Sequence, residues 1–140
     1  MMSPLSAREP LPGPVPATVL RVIDGDSLVV RVTIWLGQKL ETTVRLLGVD
    51  TPELRGACGE ERNLATRSRA FTADLAEIGA EISLNDIQLG KFAGRVLARA
   101  VTAGGVDIGE ALVAAGLARA YRGGRRGSWC VRAAANAQPS

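Results

Sequence analysis

The 140-residue sequence contains no histidine, and this absence excludes several kinds of chemistry. Without imidazole there is no Ser-His or Cys-His nucleophile pair and no metal site built on histidine. The two cysteines, Cys58 and Cys130, are too few for a zinc cluster and too far apart for a redox Cys-x-x-Cys motif. Any catalysis by this chain therefore rests on carboxylates, arginines or thiols.

Long apolar runs are also missing, so the sequence offers no transmembrane segment. Residues 1–16 contain five prolines and no apolar stretch of signal-peptide length, and we interpret them as a flexible lead. The lack of a signal favours a cytoplasmic protein, whereas a processed precursor would be periplasmic or secreted, so the compartment stays open. We expect a monomer that does not bind membranes.

Charge is abundant but unevenly placed. Residues 1–86 carry nine basic and twelve acidic side chains, a balance of −3, whereas residues 87–140 carry eight and two, a balance of +6. A basic and aromatic cluster near the end suits a phosphate backbone with stacked bases: Arg119, Tyr121, Arg122, Arg125, Arg126, Trp129 and Arg132. A solvated, partly irregular Arg/Gly-rich tail over residues 123–140 explains this composition equally well.

The apolar pattern predicts a mainly β fold with two helices. Period-two alternation indicates three antiparallel strands in ATVLRVID, SLVVRVTIWL and LETTVRLLGV. From residue 60 to 78 the period becomes helical, with Leu64, Phe71, Leu75 and Ile78 on the buried face. Two further strands, AEISLND and GRVLARAVTA, precede a helix at 107–115 that Asp107 caps. The order β-β-β-α-β-β-α is that of the OB-fold, a five-stranded Greek-key barrel, which we place at residues 17–122.

Three charged segments lie at predicted strand ends: IDGDS, RLLGVDTPE and KFAGR. Asp26 and Asp50 are short carboxylates that, with the Thr51 carbonyl and waters, offer the oxygen ligands that calcium accepts. Pro52 biases Thr51 toward an extended conformation and so presents Glu53 at a defined angle beyond the strand. Each segment alone is also explained as an ordinary turn or strand end.

Together these groups suit hydrolysis of a phosphodiester. Glu53 can take a proton from water as a general base, and Arg45 and Arg95 can hold the phosphoryl oxygens by bidentate contacts. Strict alternation, however, places Arg45 and Asp50 on opposite faces of the third strand. A bulge or bend near Gly48 is therefore required to bring them together.

The segments IDGDS, RLLGVDTPE, GRVLA and GEALVAAGLARAY resemble the staphylococcal-nuclease-like (thermonuclease) family over about residues 17–122. The resemblance implies an OB-fold with added helices. It also implies calcium-dependent cleavage of DNA or RNA, single-stranded or flexible, to products ending in 3′-phosphates. Carried over residue by residue, it implies that calcium is held by Asp26, Asp50 and Thr51. It also implies that Glu53 is the general base and that the phosphate is bound by Arg45 and Arg95.

The sequence also departs from the family pattern. Where the family usually has Asp-Lys-Tyr-Gly-Arg, residues 91–95 are Lys-Phe-Ala-Gly-Arg, which changes the expected contacts to the neighbouring nucleotide. The candidates for substrate binding are Lys91, Tyr121 and Arg122. The long C-terminal helix of the family has no clear counterpart, and we expect the Arg/Gly-rich segment to replace it.

The resemblance also suggests a disulfide, and it leaves more than one function open. Subgroups of the family share a Cys soon after the Pro-Glu pair and a closing Trp-Cys, so we hypothesise a Cys58–Cys130 disulfide, with two independent thiols as the alternative. A non-catalytic OB-type module that binds nucleic acid or protein is the alternative function. Oligosaccharide binding has little support, because only four aromatic residues accompany Tyr121.

Overall fold

The computed structural model describes residues 10–90, 94–124 and 127–130. Its elements follow the predicted order, with two additional short strands. They are β1 (Val15–Asp24), β2 (Ser27–Trp35), β3 (Gln38–Leu46), β4 (Val49–Asp50), α1 (Gly59–Leu75), β5 (Glu81–Leu89), β6 (Arg95–Thr102), α2 (Ile108–Ala114) and β7 (Arg119–Ala120).

Five strands close into a barrel in the order β1-β2-β3-β6-β5, with β5 pairing back to β1. Alternate side chains of each strand point inward, and the interior is filled by fully buried apolar residues such as Val19, Leu28, Val44, Ile82 and Ala98. Among the described strands, β3 and β6 form the one parallel pair of the barrel. The prediction of a five-stranded OB-type barrel with two helices is confirmed.

Helix α1 packs against β1 and fixes the turn between β1 and β2. The buried Thr72 hydroxyl donates to the Gly25 carbonyl at 2.6 Å. A Cβ atom on Gly25 would lie 2.8 Å from the Ser68 Cβ, so a glycine is required for this close approach. The turn that carries Asp24 and Asp26 is therefore held directly on the helix.

The bend that the sequence required after the third strand lies at Gly48. Strand β3 ends at Leu46, and Gly48 adopts a left-handed φ of 81° that most other residues avoid. The chain then enters β4, which pairs with β7, and the Tyr121 N–H donates to the Gly48 carbonyl at 2.8 Å. These two-residue strands were not predicted, because they are too short to show a period.

The predicted end of the first helix and the predicted flexible lead both need correction. Ile78 is 77% exposed rather than buried, because α1 ends at Leu75 and the chain leaves the helical conformation at Ala76. Leu64, Phe71 and Leu75 do pack against the core. Strand β1 begins at Val15, and Leu11 forms a bridge with Ile87. Residues 10–16 are therefore attached to the barrel rather than a flexible lead, and residues 1–9 lie outside the described part.

The cap of α2 is as predicted, since an Asp107 carboxylate oxygen accepts from the Glu110 N–H at 3.0 Å. Part of the segment predicted to be irregular is packed: Trp129 is 7% exposed and Cys130 is bonded to Cys58. Residues 131–140, where a further C-terminal helix would lie, are outside the described ranges. Within those ranges, no helix is long and apolar enough to cross a bilayer.

Candidate active site

A polar pocket of about 210 Å³ opens beside the β1–β2 turn. It brings together five of the predicted site residues and three others; its lining residues are Asp24, Asp26, Ser27, Arg45, Thr51, Pro52, Glu53 and Arg95. The two arginines come from the adjacent parallel strands, in which Thr43 pairs with Arg95 and Arg45 with Leu97. Residues in register or two apart share a face, so both arginines project from the same side of the sheet.

Burial dominates the electrostatics of the carboxylates in this pocket. Asp26 is 7% exposed, and loss of solvent raises the pKa of its carboxyl above the ordinary 3.8. The Arg45 guanidinium, whose Nη2 lies 3.5 Å from Asp26 Oδ2, and hydrogen bonds from Thr51 oppose that shift without cancelling it. The pKa of Asp24 is also raised, first by burial and then by the charges of Asp26 and Glu53.

Asp50 lies on the other side of the same chain segment, so the bend at Gly48 does not bring it into the pocket of Arg45 as the sequence predicted. Its side chain is buried and does not line the 210 Å³ pocket; its Oδ2 lies 3.3 Å from Arg119 Nη2. It faces a second pocket of about 150 Å³, which Thr51 and Glu53 share and which Glu61, Gly127 and Trp129 complete. The negative charge of Asp50 still reaches Asp26, where it contributes to the raised pKa.

A disulfide between Cys58 and Cys130 closes this second side, across 72 positions of sequence and a Cα–Cα distance of 6.0 Å. The Trp129 ring stacks on the Arg119 guanidinium, with 3.8 Å from Cζ to the ring centroid. Cys58, Glu61 and Cys130 are the group of potential metal ligands that come together within the described residues. Because both sulfurs are used in the disulfide, this group does not provide a thiolate site.

The predicted substrate-binding residues have different placements. Tyr121 lies with its ring centroid 6.0 Å from Arg45 Cζ, and its hydroxyl donates to the Gly124 carbonyl at 2.5 Å. Arg122 is exposed. Lys91 lies outside the described residues, as do Arg125, Arg126 and Arg132 of the basic cluster. Arg119, which belonged to that cluster, is instead engaged with Asp50 and Trp129.

The sequence assigned no role in this region to Asp24, Ser27 or Glu61, and it placed Arg119 in the basic cluster rather than beside Asp50. Asp24 stands in the same turn as Asp26, so the motif already contained a signal for it. Glu61 lies three residues after the N-cap position Cys58, which is the spacing of a capping box. The pairing of Arg119 with Asp50 depends on β4–β7 pairing and had no sequence signal.

The profile of one family, described as "Staphylococcal nuclease homologue", matches residues 43–136, which is more than half of the chain. The chain belongs to this family. For this nuclease homologue the matched segment includes Arg45, Asp50, Thr51, Glu53 and Arg95, whereas the turn with Asp26 precedes it. No curated protein matches the chain. Membership supports a nuclease-type enzyme or a nucleic-acid-binding module.

The donor groups of this nuclease homologue are of the chemical type that a hard divalent cation takes, although Asp50 faces the second pocket and is paired with Arg119. Asp26 and Asp50 supply two buried carboxylates close enough to influence each other, and Thr51 adds oxygen atoms beside Asp26. Oxygen ligands of this kind suit calcium rather than a soft metal. Neighbouring buried carboxylates are costly to ionise, and a bound cation offsets that cost.

Proposed function

We propose that this chain is a calcium-dependent nuclease that hydrolyses phosphodiester bonds of DNA or RNA to products ending in 3′-phosphates. The observation that supports it is the composition of the 210 Å³ pocket. Glu53, Asp26 and two arginines from adjacent strands line one cavity in a chain of the nuclease homologue family. A binding module needs positive charge, but it does not need an acidic group beside the arginines.

Each residue in the proposal has a separate task. Asp26, Asp50 and Thr51 would hold the calcium ion, which when bound supplies positive charge beside the phosphate. Glu53 is exposed at the pocket and accepts a proton from the attacking water. Arg45 and Arg95 donate hydrogen bonds to the phosphoryl oxygens as negative charge builds on them. The water oxygen bonds to phosphorus, the bond from phosphorus to the 5′-oxygen breaks, and the released 5′-oxygen takes a proton from solvent, which leaves the phosphate on the 3′ side.

The alternative is a non-catalytic module that binds nucleic acid or a protein. It is supported by the same family membership and by the positive charge of residues 87–140. Hydrolysis is favoured because the proposed base, the acidic ligands and both arginines are all present. A module without catalysis has no need for all of them.

The test is degradation of single-stranded DNA and RNA oligonucleotides in calcium, with a chelator and the Glu53→Gln variant. We expect the chelator to stop cleavage and the variant to lose about 10²- to 10⁴-fold in kcat while still binding the oligonucleotide. Glu77→Gln, at an exposed glutamate of the α1–β5 connection, serves as the matched control. Oligonucleotide binding by the wild-type chain without any cleavage would instead identify the module.

A further inference from the structure

Glu61 is a buried carboxylate that lies outside the 210 Å³ pocket but bonds to the segment carrying Glu53. It stands in the first turn of α1 and is 9% exposed. Its Oε2 accepts a hydrogen bond from the Glu53 N–H at 3.1 Å, and its Oε1 accepts one from the Ala57 N–H at 3.1 Å. One side chain thus holds both ends of the turn from residue 53 to 57.

The segment 51–58 contains no helix or strand, so these bonds define its shape. The Gly56 N–H donates to the Glu53 carbonyl at 2.9 Å, and the Gly56 carbonyl accepts from Arg62 Nη1 at 2.9 Å. The carboxylate of Glu61 is packed tightly here: a Cβ atom on Gly56 would lie 2.4 to 2.6 Å from its Cδ, Cγ and Oε1 atoms. The turn therefore has little room to shift while Glu61 is in place.

The disulfide limits the movement of Glu61 from the other side. Cys130 Sγ lies 3.7 Å from Glu61 Oε1, and Cys58 is the N-cap residue of the helix that carries Glu61. A disulfide sulfur has no proton to donate, so this contact is packing and not a hydrogen bond. Helix, disulfide and turn therefore surround the carboxylate on three sides.

We propose that Glu61 is a positioning residue, which sets the location of the general base through the backbone of Glu53 without touching the substrate. This inference rests on the proposed function. A general base works only within hydrogen-bond distance of the proton it takes. A displacement of about 1 Å costs on the order of 10²-fold in rate. Loss of the Glu61 bonds therefore lowers the rate of the chemical step and leaves substrate binding intact.

The first experiment compares Glu61→Gln with Glu60→Gln on a single-stranded DNA oligonucleotide in calcium, below the melting temperature of each variant. Glutamine has nearly the same shape as glutamate, but its NH₂ group would face one of the two backbone N–H donors and cannot accept a hydrogen bond from it. Both variants lose a carboxylate from the first turn of α1, and Glu60 is exposed. We expect Glu61→Gln to lower kcat about tenfold or more with KM changed less than about twofold, and Glu60→Gln to match the wild-type protein.

A second pair of variants displaces the Glu61 carboxylate without removing its charge. Gly56→Ala places a methyl group on that carboxylate, whereas the Cβ of Gly59→Ala would approach only Arg62 Nη2, at 3.9 Å. We expect the same kcat loss in Gly56→Ala and none in Gly59→Ala. Wild-type kcat in folded Gly56→Ala and Glu61→Gln, or a change confined to KM, would overturn the inference.

A double-variant cycle separates positioning from general loss of structure. If Glu61 acts through Glu53, adding Glu61→Gln to Glu53→Gln lowers the residual rate no further. A further loss of the same size in that background would refute the positioning role. Full activity of Glu53→Gln alone would refute the proposed function and this inference together. An inactive Glu53→Gln with a fully active Glu61→Gln would refute only the inference.

Discussion

The two sides of the segment from Asp50 to Glu53 are built in opposite ways. One side is the open polar pocket, where Asp26 and Asp24 keep raised pKa values next to Arg45. The other is closed by the disulfide, by the stacked Trp129 and by the Asp50–Arg119 ion pair. Both sides bury carboxylates, but Asp50 and Glu61 on the closed side bond to neighbouring protein groups, whereas the open side keeps a cavity between its acids and its two arginines.

Changes to the residues that line the open pocket should therefore act mainly on activity, whereas changes to the disulfide and to the Asp50–Arg119 pair should act mainly on stability. After Glu53→Gln, the largest effect is expected for Arg45→Ala, because this change removes a hydrogen-bond donor from the phosphate as negative charge develops on it. We expect kcat to fall about 10²- to 10³-fold, with KM and the melting temperature little changed. Steady-state cleavage of an oligonucleotide measures this. Arg67→Ala, on the exposed face of α1, is the control, and a loss confined to KM would contradict the prediction.

On the closed side, the Cys58→Ser/Cys130→Ser double variant removes the largest covalent constraint. Opening a loop of 72 positions is expected to lower the free energy of unfolding by about 4 kcal/mol in the chain-entropy description. Urea unfolding with and without reductant measures the change. Reductant should destabilise the wild-type protein and leave the double variant unaffected. Equal midpoints for both proteins without reductant would show that the constraint does not act in solution.

A smaller loss of stability is expected when the positively charged Arg119 on the closed side is replaced. Arg119→Met takes the positive charge from beside the buried Asp50 but keeps apolar contact with Trp129. The Asp50 side chain is only 4% exposed and loses its neighbouring cation, while solvent around the 31%-exposed Arg119 weakens the pair, so we expect a loss of about 2 kcal/mol in urea unfolding. Arg122→Met, at an exposed position three residues after Arg119, should unfold like the wild-type protein.

The smallest expected effect is a gain in stability on the open side. The folded state raises the pKa of Asp26, so in the wild-type protein stability falls as pH rises above 3.8, where the unfolded chain ionises first. Asp26→Asn avoids this loss of stability and should therefore have a higher melting temperature than the wild-type protein at pH 7 without calcium. The difference should disappear below pH 3.8. Thermal unfolding across this range, with exposed Asp74→Asn as the control, checks the sign.

Sequence reasoning captured the barrel because period-two alternation marks strands with one buried face. The end of α1 could not be predicted in this way. Ile78 continues the helical period of Leu64 and Leu75, but the chain leaves the helical conformation before it. Strands β4 and β7 were too short to be seen. The approach of Arg45 to Arg95 depends on the register of β3 and β6, which no local pattern encodes. The backbone role of Glu61 likewise depends on three-dimensional packing.

The parallel pairing of β3 with β6 has a consequence for the order in which the molecule forms. Arg45 and Arg95 are fifty residues apart in sequence, and they become neighbours only when β6 docks on β3. Contacts between such distant residues form late, because the entropy of closing the intervening chain must be lost first. In a folding chain in which only β1 to β3 have formed, Arg45 is in place but Arg95 is not. The two-arginine site therefore arises only once β6 has paired with β3, and its assembly reports that the parallel pair of the barrel has formed.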